Sequence, residues 1–139
     1  MNTNKILSKI LTIASLLIII LGFAQIFAAP MVFQWLTGNL NEEIAAKISQ
    51  LTLFNHLLVG ILLIPFGIST LFSAAGIRSN QKWAKAIAYT NSIVIIFLPF
   101  AAYIVMGSYF FDSTVSIIIT SFIVLVGVSI FLSLIWFRD

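Results

Sequence analysis

The chain has no cysteine. That excludes disulfides, thiolate metal sites and thiol catalysis together. It also excludes the four-helix membrane thiol oxidoreductases, which work through paired cysteines. Charge is almost as scarce: charged residues make up 8% of the chain, against 61% hydrophobic ones. A soluble domain carries roughly 25% charged and about 45–50% apolar residues. A chain this poor in polar surface takes the bilayer as its solvent, and a single four-helix transmembrane domain over residues 1–139 is expected.

Histidine occurs once, at position 56. Haem held by two histidines of this chain is therefore impossible. A zinc site wants three or four ligands with histidine or cysteine prominent, and no HExxH-like spacing occurs, so neither metal nor other cofactor is expected. A Ser-His-Asp triad is recognised by geometry, and one histidine has too many potential partners for a triad to be argued. Charge is also missing from the middle of every long apolar segment. Proton-coupled transporters and small multidrug exporters rely on an embedded carboxylate. Ion channels want charged rings or a carbonyl filter. An enzyme is the weakest reading of what remains.

What is present is apolar length. Four segments, at about 10–29, 55–75, 84–106 and 115–137, each approach the roughly 20 residues that cross a hydrocarbon core. The first ends in Phe27-Ala28-Ala29-Pro30, which raises a cleaved signal peptide. The run exceeds the roughly 7–15 residues of a signal core, and bulky Phe27 falls where a small residue is wanted. A retained helix is expected, ended by Pro30.

The stretch 30–50 is then a long connection. Trp35 suits an interface, and Thr37-Gly38-Asn39 reads as a turn. Asn41 offers an N-cap, with Glu42 and Glu43 at the positive end of the helix dipole. Ile44, Ile48 and Leu51 follow with helical spacing. This helix is either a separate surface helix or the start of the second span. A short turn with Tyr109 and Asp112 joins the last two spans.

Charge placement sets direction. Four spans put the N-terminus, the basic link Gly76–Lys85 and the C-terminus on one face, with Lys5, Lys9, Arg78, Lys82, Lys85 and Arg138. The other face holds only Lys47, beside Glu42, Glu43 and Asp112. Basic residues mark the cytoplasmic side. The expected fold is all-α: an integral membrane antiparallel four-helix bundle, multi-pass in the cell membrane, with N- and C-termini cytoplasmic. The basic residues follow topology and form no stripe for nucleic acid.

Helices in lipid associate through small residues. Each segment carries a stripe of them: Ser8, Thr12, Ser15, Gly22 and Ala29; His56, Gly60, Gly67 and Ala74; Ala84, Ala88, Asn91 and Ala102; Ser113, Ser116, Thr120 and Gly127. Gly22, Gly60, Gly67, Asn91, Thr120 and Gly127 are the expected helix-packing residues. His56 falls on such a stripe and should face the other helices. The plain reading is a satisfied polar group near the outer interface. The sharper one joins Gln25, Asn55, His56 and Tyr103 into a polar ligand pocket open to the outer face, with Pro65 and Pro99 kinking their helices to make room.

The plan is similar to that of small four-helix membrane proteins of the DoxX-like kind. The shared features are cytoplasmic termini, a longer first outer connection, a glycine-and-proline second helix (Gly60, Pro65, Gly67) and a basic inner link with Trp83 and Ala84 beside Arg78 and Lys82. Such families supply no catalytic residues to carry over. Sterol-isomerase-like four-helix proteins share the plan but keep acidic residues inside the bundle, which this chain lacks. The expected function is a non-catalytic accessory or structural subunit, with the lipid bilayer and other membrane proteins or a second copy as partners. A bundle that binds a small hydrophobic ligand or lipid is the alternative.

Overall fold

A computed structural model describes residues 3–39, 41–107 and 114–137. Among them four helices occur: α1 (Thr3–Asn39), α2 (Glu42–Arg78), α3 (Lys82–Met106) and α4 (Thr114–Trp136). All four are long and apolar enough to cross a membrane. Tyr109, Asp112, Ser113, Arg138 and Asp139 lie outside the described residues.

Polarity is inverted relative to a soluble protein. Ser15, Gln25, Ser49, Asn55, His56, Thr70, Ser73, Asn91 and Ser92 are buried, while Phe27, Phe72, Ile104, Leu125 and Trp136 are exposed. Apolar side chains gain nothing by hiding from hydrocarbon, whereas polar ones must find partners inside. The exposed faces are those a lipid environment requires.

Two expectations about 30–50 need correcting. Pro30 does not end the first helix; α1 runs through it to Asn39, so Thr37-Gly38-Asn39 is helix and not turn. Proline removes one donor and crowds the carbonyl four residues back, but a helix already held by a neighbour tolerates that loss. Most of the expected connection is helical, because α1 reaches Asn39 and α2 runs from Glu42 without interruption as far as Arg78. Asn41 does occupy the N-cap position, with extended backbone, but its side chain makes no capping bond. Of the helical-spacing residues, Leu51 is exposed, while its neighbours Ser49 and Thr52 are buried; the side chains of Ile44 and Ile48 lie outside the described residues. Pro65 likewise sits inside a continuous α2.

Close approach fixes the register. A Cβ on Gly60 would lie 2.7 Å from the carbonyl oxygen of Gly22, and one on Gly22 would lie 2.9 Å from that of Gly60. Further along, a Cβ on Gly67 would meet Ser15 O at 3.0 Å. Gly127 lies against Ile95 and Ile96, and Gly76 against Ala84 and the Trp83 ring. Between α2 and α3, Asn91 Nδ2 donates to Ser69 Oγ at 3.0 Å and Thr70 Oγ1 at 3.1 Å.

The α2–α3 link is a closed hydrogen-bonded turn. Asn80 takes φ +57°. Its N–H bonds Ile77 O at 3.1 Å, and Gln81 N–H bonds Gly76 O at 2.8 Å. This paired pattern is a Schellman motif with asparagine in the left-handed position. Asn80→Gly keeps the left-handed turn and loses only the side-chain bond from Asn4, whereas Asn80→Val loses that bond and should cost about 1–2 kcal/mol more for its strained backbone, read from reversible unfolding in detergent. Equal stability of the two variants would contradict the assigned turn.

Candidate functional site

The four helices converge on one polar cluster. Gln25 from α1, Asn55, His56 and Val59 from α2, Leu98, Pro99 and Ala102 from α3, and Thr120 and Ile123 from α4 line a small cavity. Its polar members are all buried. His56 is only 6% exposed, and its Nδ1 is hydrogen-bonded to Gln25 Oε1. Against a carbonyl oxygen Nδ1 is the donor, and in the neutral ring Nε2 is then an acceptor.

Local sequence explains these positions. Asn55 and His56 sit on the buried face of α2 that also carries Ser49, Thr52 and Gly60. Gln25 is three residues from Gly22, so the close approach at Gly22 and Gly60 draws its side chain toward the next turn of α2. A Cβ on Gly60 would also come within 3.2 Å of Gln25 Cβ. The glycine contact and the polar bond are therefore one packing unit.

The structure brings together Gln25, Asn55 and His56 from the expected pocket, but not Tyr103. That ring is 47% exposed and lies off the cavity. Ala102 takes the buried position at this level of α3, and Tyr103, about 100° further round the helix, falls on its exposed side. The prolines also part company: Pro99 is buried at the cavity wall, whereas Pro65 is exposed. Thr120, read from the sequence as a packing residue, supplies the fourth helix's polar group. Its place on the small-residue stripe of α4 was the available signal.

Size decides what the cavity can hold. At about 20 Å³ it has room for about one water molecule. A drug-sized ligand needs roughly 300–1,000 Å³. In this conformation the cluster holds helices together, and a larger guest would have to part them. Among the described residues there is no group of three or more His, Cys, Asp or Glu that could hold a metal ion.

Asn91 serves the same purpose one level down. Besides its two side-chain acceptors, it reaches Phe66 O at 3.5 Å. Thr70 and Ser73 bond back to the carbonyls of Phe66 and Ser69 at 2.7 and 3.0 Å, which satisfies their hydroxyls within the helix.

The helices do not end together beyond the cavity. From Gln25, α1 continues to Asn39, roughly 21 Å of helix, whereas α3 continues from Ala102 only to Met106, roughly 6 Å. The α1–α2 pair therefore projects past α3. Along one side of α1, Phe23, Phe27, Met31 and Trp35 recur every four residues, and all are exposed. Phe54 and Leu51 on α2 are exposed as well, while Ser49 and Thr52 are buried. No family model, curated protein or solved structure matches this chain.

Proposed function

We propose that this chain is a non-catalytic integral membrane subunit that binds other membrane proteins, or a second copy of itself, through the projecting α1–α2 pair. The carrying observation is the exposed ridge Phe27–Met31–Trp35, which continues where α3 has already ended. Aromatic and methionine side chains are the residue types enriched at interface cores. A cavity with room for about one water supports a role in holding helices, not in chemistry.

In this reading the helices form an antiparallel bundle with both termini cytoplasmic, in the cell membrane, on a plan like that of DoxX-like proteins. The inverse register of neighbouring helices supports the antiparallel arrangement. The excess of lysine and arginine at the end bearing the α2–α3 link supports the orientation. The chain has no cysteine, so single introduced ones report cleanly. On intact cells a membrane-impermeant maleimide should label Gly38→Cys and spare Ser79→Cys. The opposite pattern would reverse the orientation.

Gentle extraction and native mass spectrometry test the partner reading. A stoichiometric assembly with a defined second membrane polypeptide, or a homodimer, is expected. The paired substitution Met31→Ser and Trp35→Ser should dissolve it without unfolding the chain. A wild-type protein found only as a lone monomer would sink the proposal.

The alternative is a ligand-binding bundle centred on Gln25, Asn55 and His56. The convergence of all four helices on that cluster favours it. It requires the cavity to open well beyond its present size.

A further inference from the structure

A second cavity lies at the end of the molecule away from His56. It measures about 290 Å³ and sits between the start of α1 and the α2–α3 link. Its walls are Asn4, Ile77, Asn80, Gln81, Lys82 and Lys85. Two lysines, two asparagines and a glutamine therefore line this open groove, with buried Ile77 as the apolar member. Among the described residues, no carboxylate is among its walls.

The walls are held in place. Asn4 Nδ2 donates to Asn80 Oδ1 at 2.5 Å, tying the start of α1 to the link. Asn80 is itself fixed by the Schellman turn. Lys85 Nζ donates to Phe137 O at 3.3 Å, which ties α3 to the end of α4. An ammonium has three donors, so that bond leaves two for another acceptor. Trp83, half exposed between the two lysines in sequence, suits the level of lipid headgroups.

We infer that this cavity binds a phosphate group, presented by the headgroup of an anionic lipid. The donors there match phosphate oxygens, and the volume approaches the lower end of ordinary ligand sites. The inference needs the chain to sit in a bilayer but does not depend on the partner reading. The outer cavity offers neither the charge nor the space. A free phosphate ion has the same chemistry, and the experiment below separates the two sources.

The full chain in mild detergent is offered equal amounts of phosphatidylglycerol and phosphatidylcholine, and bound lipid is counted by native mass spectrometry. Phosphatidylglycerol should be retained in preference. A lysine near an anionic surface is worth about fivefold in binding, so Lys82→Gln with Lys85→Gln should lower retention roughly twentyfold. Reversible unfolding of the paired variant checks that the helix ends stay joined without the Lys85 bond to Phe137 O. The paired variant Lys5→Gln and Lys9→Gln removes the same charge from residues outside the cavity walls and should lose far less. Displacement of the lipid by inorganic phosphate would assign recognition to the phosphate group alone, whereas resistance would assign it to the whole lipid. Equal losses in the two paired variants, or none at Lys82 and Lys85, would overturn the site.

Discussion

Gly60→Leu is expected to separate α1 from α2 and abolish the folded state in detergent. Even the single carbon of Gly60→Ala would stand 2.7 Å from the carbonyl oxygen of Gly22 and 2.7 Å from Ile26 Cγ1. The isoleucine can rotate, but the carbonyl belongs to the backbone of α1 and moves only with the helix. Overpacking of this kind costs about 1–3 kcal/mol, and more where backbone must shift. The alanine variant should fall in that range and the leucine variant beyond it. Gly38→Ala is the control, because nothing lies within 4 Å of a Cβ there. It should be neutral or slightly stabilising, since alanine favours helix over glycine by up to about 1 kcal/mol. Reversible unfolding in mixed detergent micelles measures both. A Gly60→Leu protein as stable as the parent would mean that the helices do not meet through Gly22 and Gly60.

The second large effect is expected at the Gln25–His56 pair. Gln25→Leu leaves the His56 Nδ1 donor buried without its partner. An orphaned buried polar group costs about 1–3 kcal/mol. His56→Leu strands the Gln25 carbonyl in the same way. The double variant removes both groups and should be more stable than the sum of the two single losses predicts, by roughly 1 kcal/mol or more in a double-mutant cycle. Strict additivity would mean that the bond contributes nothing. The same variants separate the two functional readings. If the cluster only joins helices, the lipids and other small molecules carried through purification are the same for parent and double variant. If it is a ligand site, a defined molecule leaves with the two side chains.

Much of the architecture was legible because the bilayer imposes it. Apolar runs of fixed length give the four helices, and a solvent with no hydrogen-bonding groups forces them to be helices. Three of the four small-residue stripes, through Ser15 and Gly22, Gly60 and Gly67, and Ala88 and Asn91, lie on buried faces. So do the Thr120 and Gly127 positions of the fourth. The meeting of Gln25, Asn55 and His56 could be read because each lies on or beside such a stripe. Tyr103 could not be placed that way. It lies off the stripe of α3, and only its chemical suitability argued for it. Pro30 misled for a related reason: proline's local preference to end a helix is weaker than the support of a neighbouring helix packed along its length.

Composition and periodicity alone gave the apolar character, the four helices and the faces narrow enough for close approach. These follow from composition and from a single period of about 3.6 residues, which are local properties. Packing of separate helices set the rest: that α1 and α2 each continue for 37 residues, and that the Gln25–His56 cluster closes to the size of about one water while the end bearing Lys82 and Lys85 keeps an open groove. Those outcomes depend on where separate helices come to rest against one another. Packing distance is set jointly by residues far apart in sequence, such as Gly22 with Gly60 or Asn4 with Asn80, and no local pattern contains it.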